Sequence, residues 1–277
     1  MLFMGQDTGA YLTERLRMKF SLGESFQVVR EPRPTLKSLR ARCSIWQSIG
    51  TVGLAAGEIL LSFDDGPNPI DDTTARLLDS LRQEGVRGAF CVCGKSVREA
   101  PELLHRMVIE GHLLVNHSYW HQPFAAFSES ALEKEILDCD AAIAAALNIP
   151  SFKSPFFRSA CGWRTPILGR VLSRQQKKLL PITDFGFDTN MTRHTYRKWV
   201  DHTLGVARRD RGGIFVLHDG RLRFWGECWY DPTDRDSSAY RGWVPEAAAL
   251  LIQRCRAEGF RFLDPHAAGR ARLRKVL

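Results

Sequence analysis

EILLSFDDGPNP (Glu58–Pro69) is the stretch on which the fold turns. It opens as a short apolar run, the length of one buried strand. The run breaks abruptly into two aspartates and a Gly-Pro-Asn-Pro turn signature. A helix follows, with Ala75, Leu77, Leu78 and Leu81 at helical spacing between Asp72 and Glu84 and Gly85 as its stop. Strand, abrupt turn and amphipathic helix together read as the first unit of a parallel β/α fold.

The same alternation recurs downstream. GAFCVC (Gly88 to Cys93), HLLV (His112 to Val115), Ile182 to Phe187, IFVL (Ile214 to Leu217) and GFRFL (Gly259 to Leu263) read as strands. Helices are expected over 101–110 and 245–257. The clearest one follows Ser130, which with Glu133 has the form of a capping box, and repeats Leu132, Ile136, Cys139, Ile143 and Leu147 on one face. Alternating strands and helices imply βαβ units. A closed or partly closed barrel and an open doubly wound sheet both satisfy that pattern.

Composition narrows the classes. The 277 residues are 44% hydrophobic and 25% charged, which excludes a disordered or low-complexity chain. The net charge of +8 sits at the ends: residues 1–42 carry 8 Lys/Arg against 4 Asp/Glu, and residues 254–277 carry 7 against 2. The middle, with 24 basic and 25 acidic residues, is close to neutral, which argues against a nucleic-acid partner. The most apolar stretch, Ile49 to Phe63, is short and interrupted, so no transmembrane segment is expected. The first twenty residues lack an uninterrupted apolar region and a small-residue cleavage site, which leads us to expect a cytoplasmic protein. Seven cysteines, an odd number, do not form a disulfide framework, and Cys91 and Cys93 lack zinc-knuckle spacing. Residues 1–57 read as a lead-in, and 58–277 as one catalytic domain.

In parallel α/β folds the site lies at the C-terminal ends of the strands. Residues at those ends here are Asp64 and Asp65, then Asn116, His117, Ser118 and His121, then Arg158, Asp188, and His218 with Asp219. Alone, Asp64–Asp65 serves equally well as turn chemistry, and an isolated HxxxH is more often a polar turn. Together they suit a metal site. Adjacent carboxylates repel unless a cation or proton separates their roles, so one on a metal and one free to take a proton is a natural division. His117 and His121, four apart, are expected on one side of a helical turn, a pairing that suits zinc or another divalent ion. His218 fits either a core histidine or a general acid oriented by a carboxylate.

LSFDDGPNP (Leu61 to Pro69), HSYWH (His117 to His121), FFRSACG (Phe156 to Gly162) and VLHDG (Val216 to Gly220) resemble successive motifs of the polysaccharide deacetylase family, carbohydrate esterase family 4. The resemblance runs from about Glu58 to Leu263. It implies a distorted (β/α) barrel of seven or eight strands and metal-dependent removal of N-acetyl groups from N-acetylglucosamine-containing oligo- or polysaccharide. It makes Asp64 the base, Arg158 the holder of that base, His218 the acid, and Asp65, His117 and His121 the ligands of a divalent metal. Zinc is the expected ion on ligand type, with cobalt, nickel or manganese also compatible. By the same analogy the backbone N–H of Cys161 helps to hold the oxyanion.

Two motifs depart from the family pattern. Ala160-Cys161 replaces the usual proline and aromatic ring. Arg193 and His194 align where the family has Asp-Trp, which leaves Asp188 as the candidate support for His218. The long segment Arg221 to Trp243 follows a strand end, and its Trp225 and Trp229 are candidates to stack on sugar rings, as against merely pinning the loop. Two other functions fit the altered motifs: hydrolysis of a small non-sugar amide, and carbohydrate binding with weak catalysis.

Overall fold

The computed structural model describes residues 54–222 and 231–267. Most of the expected lead-in, together with Trp225 and Trp229, lies outside the described residues.

Seven parallel strands form one sheet: β1 (Glu58–Asp64), β2 (Ala89–Val92), β3 (Leu113–Asn116), β4 (Phe156–Phe157), β5 (Lys178–Leu179), β6 (Gly212–His218) and β7 (Arg261–Phe262). Their order is β5-β4-β3-β2-β1-β6, with β7 beside the start of β1. The chain beyond β5 returns to β6 through one parallel bridge, Asp184 to Phe215, and through Thr183 N–H donating to Ile214 O at 2.8 Å. The sheet has the parallel β/α build that the resemblance implied, and the two ends of its strand order are linked by this bridge and not by a paired ladder.

Both sheet faces are buried, as an apolar strand such as β1 requires. Inside lie Leu60, Ala89, Cys91, Leu113, Val115, Phe156, Leu180 and Ile214. Outside, Ile59, Leu61, Phe63, Phe90 and Phe215 pack under the helices α1 (Thr73–Gln83), α6 (Tyr196–Asp210) and α7 (Val244–Ala257). Towards the C-terminal mouth the interior turns polar, with Ser62, Asp64 and Arg158 all buried.

Four local expectations are corrected. Ile182–Phe187 is no strand beyond its single bridge, because Gly186 and Phe187 both take left-handed backbone; β5 lies earlier, at Lys178–Leu179. Helix α4 (Glu129–Ala146) begins after Ser128, whose hydroxyl accepts from Ala131 N–H, so Ser130 sits inside the helix and forms no capping box. Helices α2 (Gly94–Glu99), α3 (Pro101–Ile109) and α5 (Pro166–Arg174) flank the sheet. Neither α2 nor α5 was expected, nor was α6, although Thr165 before Pro166 is a good helix start and its hydroxyl does cap Leu168 N–H. The segment His117–His121 is not a helical turn: Ser118 (φ 69°) and His121 (φ 55°) are left-handed.

Candidate active site

The β1 and β6 ends sit side by side, with Asp64 in register with His218. Their following turns pack so closely that each needs glycine. A Cβ on Gly66 would lie 2.3 Å from Asp219 Oδ2, and one on Gly220 would lie 2.4 Å from Asp65 O. Glycine at both positions thus brings the two motifs together.

Asp64 points into the barrel and is held there. Arg158 Nη1 donates to Asp64 Oδ1 at 2.8 Å and to Ser62 Oγ at 2.8 Å, while Nη2 donates to Pro181 O at 3.1 Å. The guanidinium is buried and spans from β1 to the segment after β5. The arginine pairs with one oxygen of this buried carboxylate and leaves the second for other work. That oxygen, Oδ2, is 3.8 Å from His117 Nε2.

Asp65 takes left-handed backbone (φ 72°), which turns its side chain toward the histidine loop. His117 Nε2 lies 3.4 Å and His121 Nε2 3.5 Å from the same oxygen, Asp65 Oδ1. His117 Nδ1 donates to Arg158 O at 2.8 Å. A carbonyl can only accept, so Nδ1 carries a proton and Nε2 is the nitrogen that faces Asp65. Among the described residues Asp65 Oδ1 and His117 Nε2 are buried without a hydrogen-bond partner. Burial opposes charge on Asp65, but the His121 and His117 rings hold its carboxyl well below the usual range. Burial likewise pushes His121 down to about 4, outweighing the pull of Asp65. An ionised carboxylate beside neutral imidazole is the protonation state that metal ligands need. Zinc-type ligands bonded at about 2.0–2.2 Å in tetrahedral array stand about 3.3–3.6 Å apart, so the observed separations fit an ion.

The histidine loop is secured from below. Asn116 Oδ1 accepts from Ser118 N–H at 3.0 Å, and Asn116 Nδ2 donates to Asp140 Oδ1 at 2.8 Å. Lys177 Nζ donates to Asp140 Oδ2 at 2.6 Å, a buried pair. Glu135 accepts from Trp120 N–H at 2.8 Å. None of these supports was anticipated from sequence. Glu135 and Asp140 on the buried side of α4 were the available signal, since buried charges need partners.

His218 meets Asp188. His218 Nδ1 donates to Asp188 Oδ1 at 2.8 Å, and His218 N–H donates to Asp188 Oδ2 at 2.8 Å. Burial alone would lower His218, but the Asp188 charge and hydrogen bond lift it to about 9. Burial would raise Asp188, yet His218 and Arg241 keep it below its ordinary value. Arg241, which the sequence reading missed, donates to His218 O at 2.6 Å, to Asp188 O at 3.1 Å and to Asp188 Oδ2, and lies 4.4 Å from the Trp243 ring centre. Arg193 and His194 are not in the site; both pair with Asp236 on the surface. Asp219, whose hydroxyl partner is Thr74 at 2.5 Å, is pushed up by burial to about 7.

Cys161 follows Arg158 by three residues and takes left-handed backbone (φ 53°) in the 3₁₀ turn Ala160–Gly162 at the barrel mouth. Tyr240 and Trp243 from the long loop are buried: Trp243 stacks on Tyr196 at 5.7 Å and Tyr240 bonds Asp71, so both pin the loop. Half-exposed rings lie instead on the β3 side, where Trp120 contacts Tyr119, and Phe127 contacts Phe124 and Trp163.

A parallel β/α sheet that gathers Arg158-held Asp64, Asp188-held His218 and the Asp65–His117–His121 cluster at the C-terminal ends of its strands has the build of a hydrolase. Comparison with known proteins makes the class specific. The family model described as polysaccharide deacetylase matches residues 53–176. A chitooligosaccharide deacetylase of Rhizobium leguminosarum bv. trifolii is 34% identical over 162 residues, 58% of this chain and 71% of that one. A chitooligosaccharide deacetylase of Bradyrhizobium sp. (strain ANU 289) is 31% identical over 204 residues, 73% of this chain and 86% of its own. Among solved structures, a family 4 acetyl xylan esterase from Clostridium thermocellum in complex with a cobalt ion superposes with a TM-score of 0.58 at 25% identity, covering 74% of this chain and 87% of that one. The chain belongs to the polysaccharide deacetylase family, carbohydrate esterase family 4, and is a deacetylase.

Proposed function

We propose that this deacetylase removes acetyl groups from N-acetylglucosamine units of a chitooligosaccharide-like substrate with the help of a divalent ion. One observation carries the reading. Arg158-held Asp64 and Asp188-held His218 stand on adjacent strands beside the Asp65–His117–His121 cluster. The names of the two rhizobial relatives support the substrate class, and the cobalt ion of the esterase supports a metal.

Asp65, His117 and His121 would hold the ion, with zinc first on ligand type. When bound, such an ion polarises an amide carbonyl and makes water acidic near neutral pH. Asp64, oriented by Arg158, accepts the proton of the attacking water. The backbone N–H of Cys161 serves as a donor to the developing oxyanion. His218, protonated up to about pH 9, gives its proton to the departing amine, and acetate is released. Asp188 keeps that proton on the ring until it is needed.

The test is acetate release from a ladder of N-acetylated chitooligosaccharides by chain purified without added metal, then with zinc, then with chelator. Zinc-dependent acetate release that chelation abolishes is expected. Turnover indifferent to chelation overturns the metal role. Cleavage of small non-sugar amides without acetate release from the sugars overturns the substrate class.

A further inference from the structure

The deacetylation chemistry leaves the Cys93 thiol unused. Cys93 follows β2, two residues after Cys91, whose side chain belongs to the barrel interior. It is wholly buried. Its Sγ, a carboxylate oxygen of Asp65 and a ring nitrogen of His117 all lie within 4.8 Å of one another. Backbone contacts fix it between the two ligand-bearing loops: Cys93 N–H donates to Gly66 O at 3.1 Å, and Gly94 N–H donates to Ser118 O at 3.1 Å. The thiol donates to His117 O at 3.5 Å, the weak kind of contact that a thiol makes. Independently of the thiol, Asp65 Oδ1 and His117 Nε2 are buried and lack hydrogen-bond partners among the described residues.

We propose that Cys93 is a further ligand of this site, giving the ion a sulfur donor beside oxygen and nitrogen. The proposal rests on the metal reading above and deepens it. A thiolate is a soft ligand, and with imidazole it selects zinc or cobalt over manganese or magnesium, which favour oxygen. On coordination the sulfur–metal bond replaces the S–H bond, and the thiol proton leaves to the solvent. Four protein donors would leave the ion a position for water or the amide carbonyl at coordination five or more. Asp64, Arg158 and His218 keep their partners, so the sulfur sets which ion is held and not which groups move protons.

The test is cobalt titration of the metal-free full chain, read by absorption. A visible cobalt spectrum with a near-ultraviolet sulfur-to-cobalt charge-transfer band is expected. Cys93→Ser should lose that band and bind cobalt about tenfold more weakly, with manganese affinity little changed. Cys161→Ser and Cys91→Ser should keep the band. If Cys93→Ser does not fold, the wild-type spectrum and the two control variants decide. A cobalt spectrum without the charge-transfer band, or one that Cys93→Ser leaves intact, overturns the proposal alone. Absence of any cobalt spectrum overturns it together with the metal reading.

Discussion

The proton-transfer half of the site and the ion-ready half are built on opposite terms. In the first, Arg158 satisfies Asp64 and Ser62, while Asp188 is shared between His218 and Arg241. In the second, Asp65 Oδ1 and His117 Nε2 are buried side by side without hydrogen-bond partners among the described residues. A buried polar atom left unpaired costs about 1–3 kcal/mol, and a fold seldom keeps two together for stability alone. On the proposed reading, the chain itself completes one half and an ion would complete the other. The contrast also explains why the histidine loop needs such support from Asn116, Asp140, Lys177 and Glu135.

The contrast can be broken most severely at Asp64. Asp64→Asn should cut acetate release by about 10²–10⁴-fold, the usual contribution of a positioned general base, while zinc binding persists. Loss of zinc binding along with activity would merge the two halves and break the distinction. Next comes Asp188→Asn, expected to lower kcat by about 10²-fold and to move the alkaline limb of the pH–rate profile toward lower pH. The sign follows from His218, whose folded value near 9 exceeds its ordinary 6.5. Stability from this pair is complete below about pH 6.5 and is lost as pH rises through about 9. Melting temperatures across that window should therefore fall in the wild type and flatten in Asp188→Asn. An unmoved limb would show that another group carries the proton.

Beneath the histidine loop, Lys177→Met should cost about 3–5 kcal/mol in urea denaturation, because it strands a buried Asp140. A change under 1 kcal/mol would mean that water reaches Asp140 and that the loop's scaffold is looser than described. The smallest effect is expected at Arg193→Ala. Its pair with Asp236 is exposed, so stability should change by at most about 0.5 kcal/mol and acetate release should stay the same. A marked loss of activity would place Arg193 in the site after all.

Much of the site is legible in sequence because residues at successive strand ends carry chemistry that a strand end does not otherwise need. Asp64, Asp65, His117, His121, Arg158 and His218 converge as their places after β1, β3, β4 and β6 imply. The curvature of the sheet was harder to read, since strand–helix alternation is blind to it; the ends of the strand order approach through one bridge between Asp184 and Phe215. The helical turn expected for His117–His121 failed because spacing reports reach, not backbone path. Left-handed residues at Ser118 and His121 bring the rings to 4.7 Å without a helix. Arg241 was invisible for another reason: it reaches Asp188 across 53 residues, through the return of a long loop that no periodicity describes.

The central claim is that the chain supplies an ion site separate from its proton-transfer groups. Calorimetric titration of zinc into metal-free wild type, His117→Ala and Asp64→Asn tests it most directly. The account predicts one ion per chain in the wild type and in Asp64→Asn, and a loss of about 10²-fold or more in affinity in His117→Ala. Equal zinc affinity in His117→Ala and the wild type would contradict it.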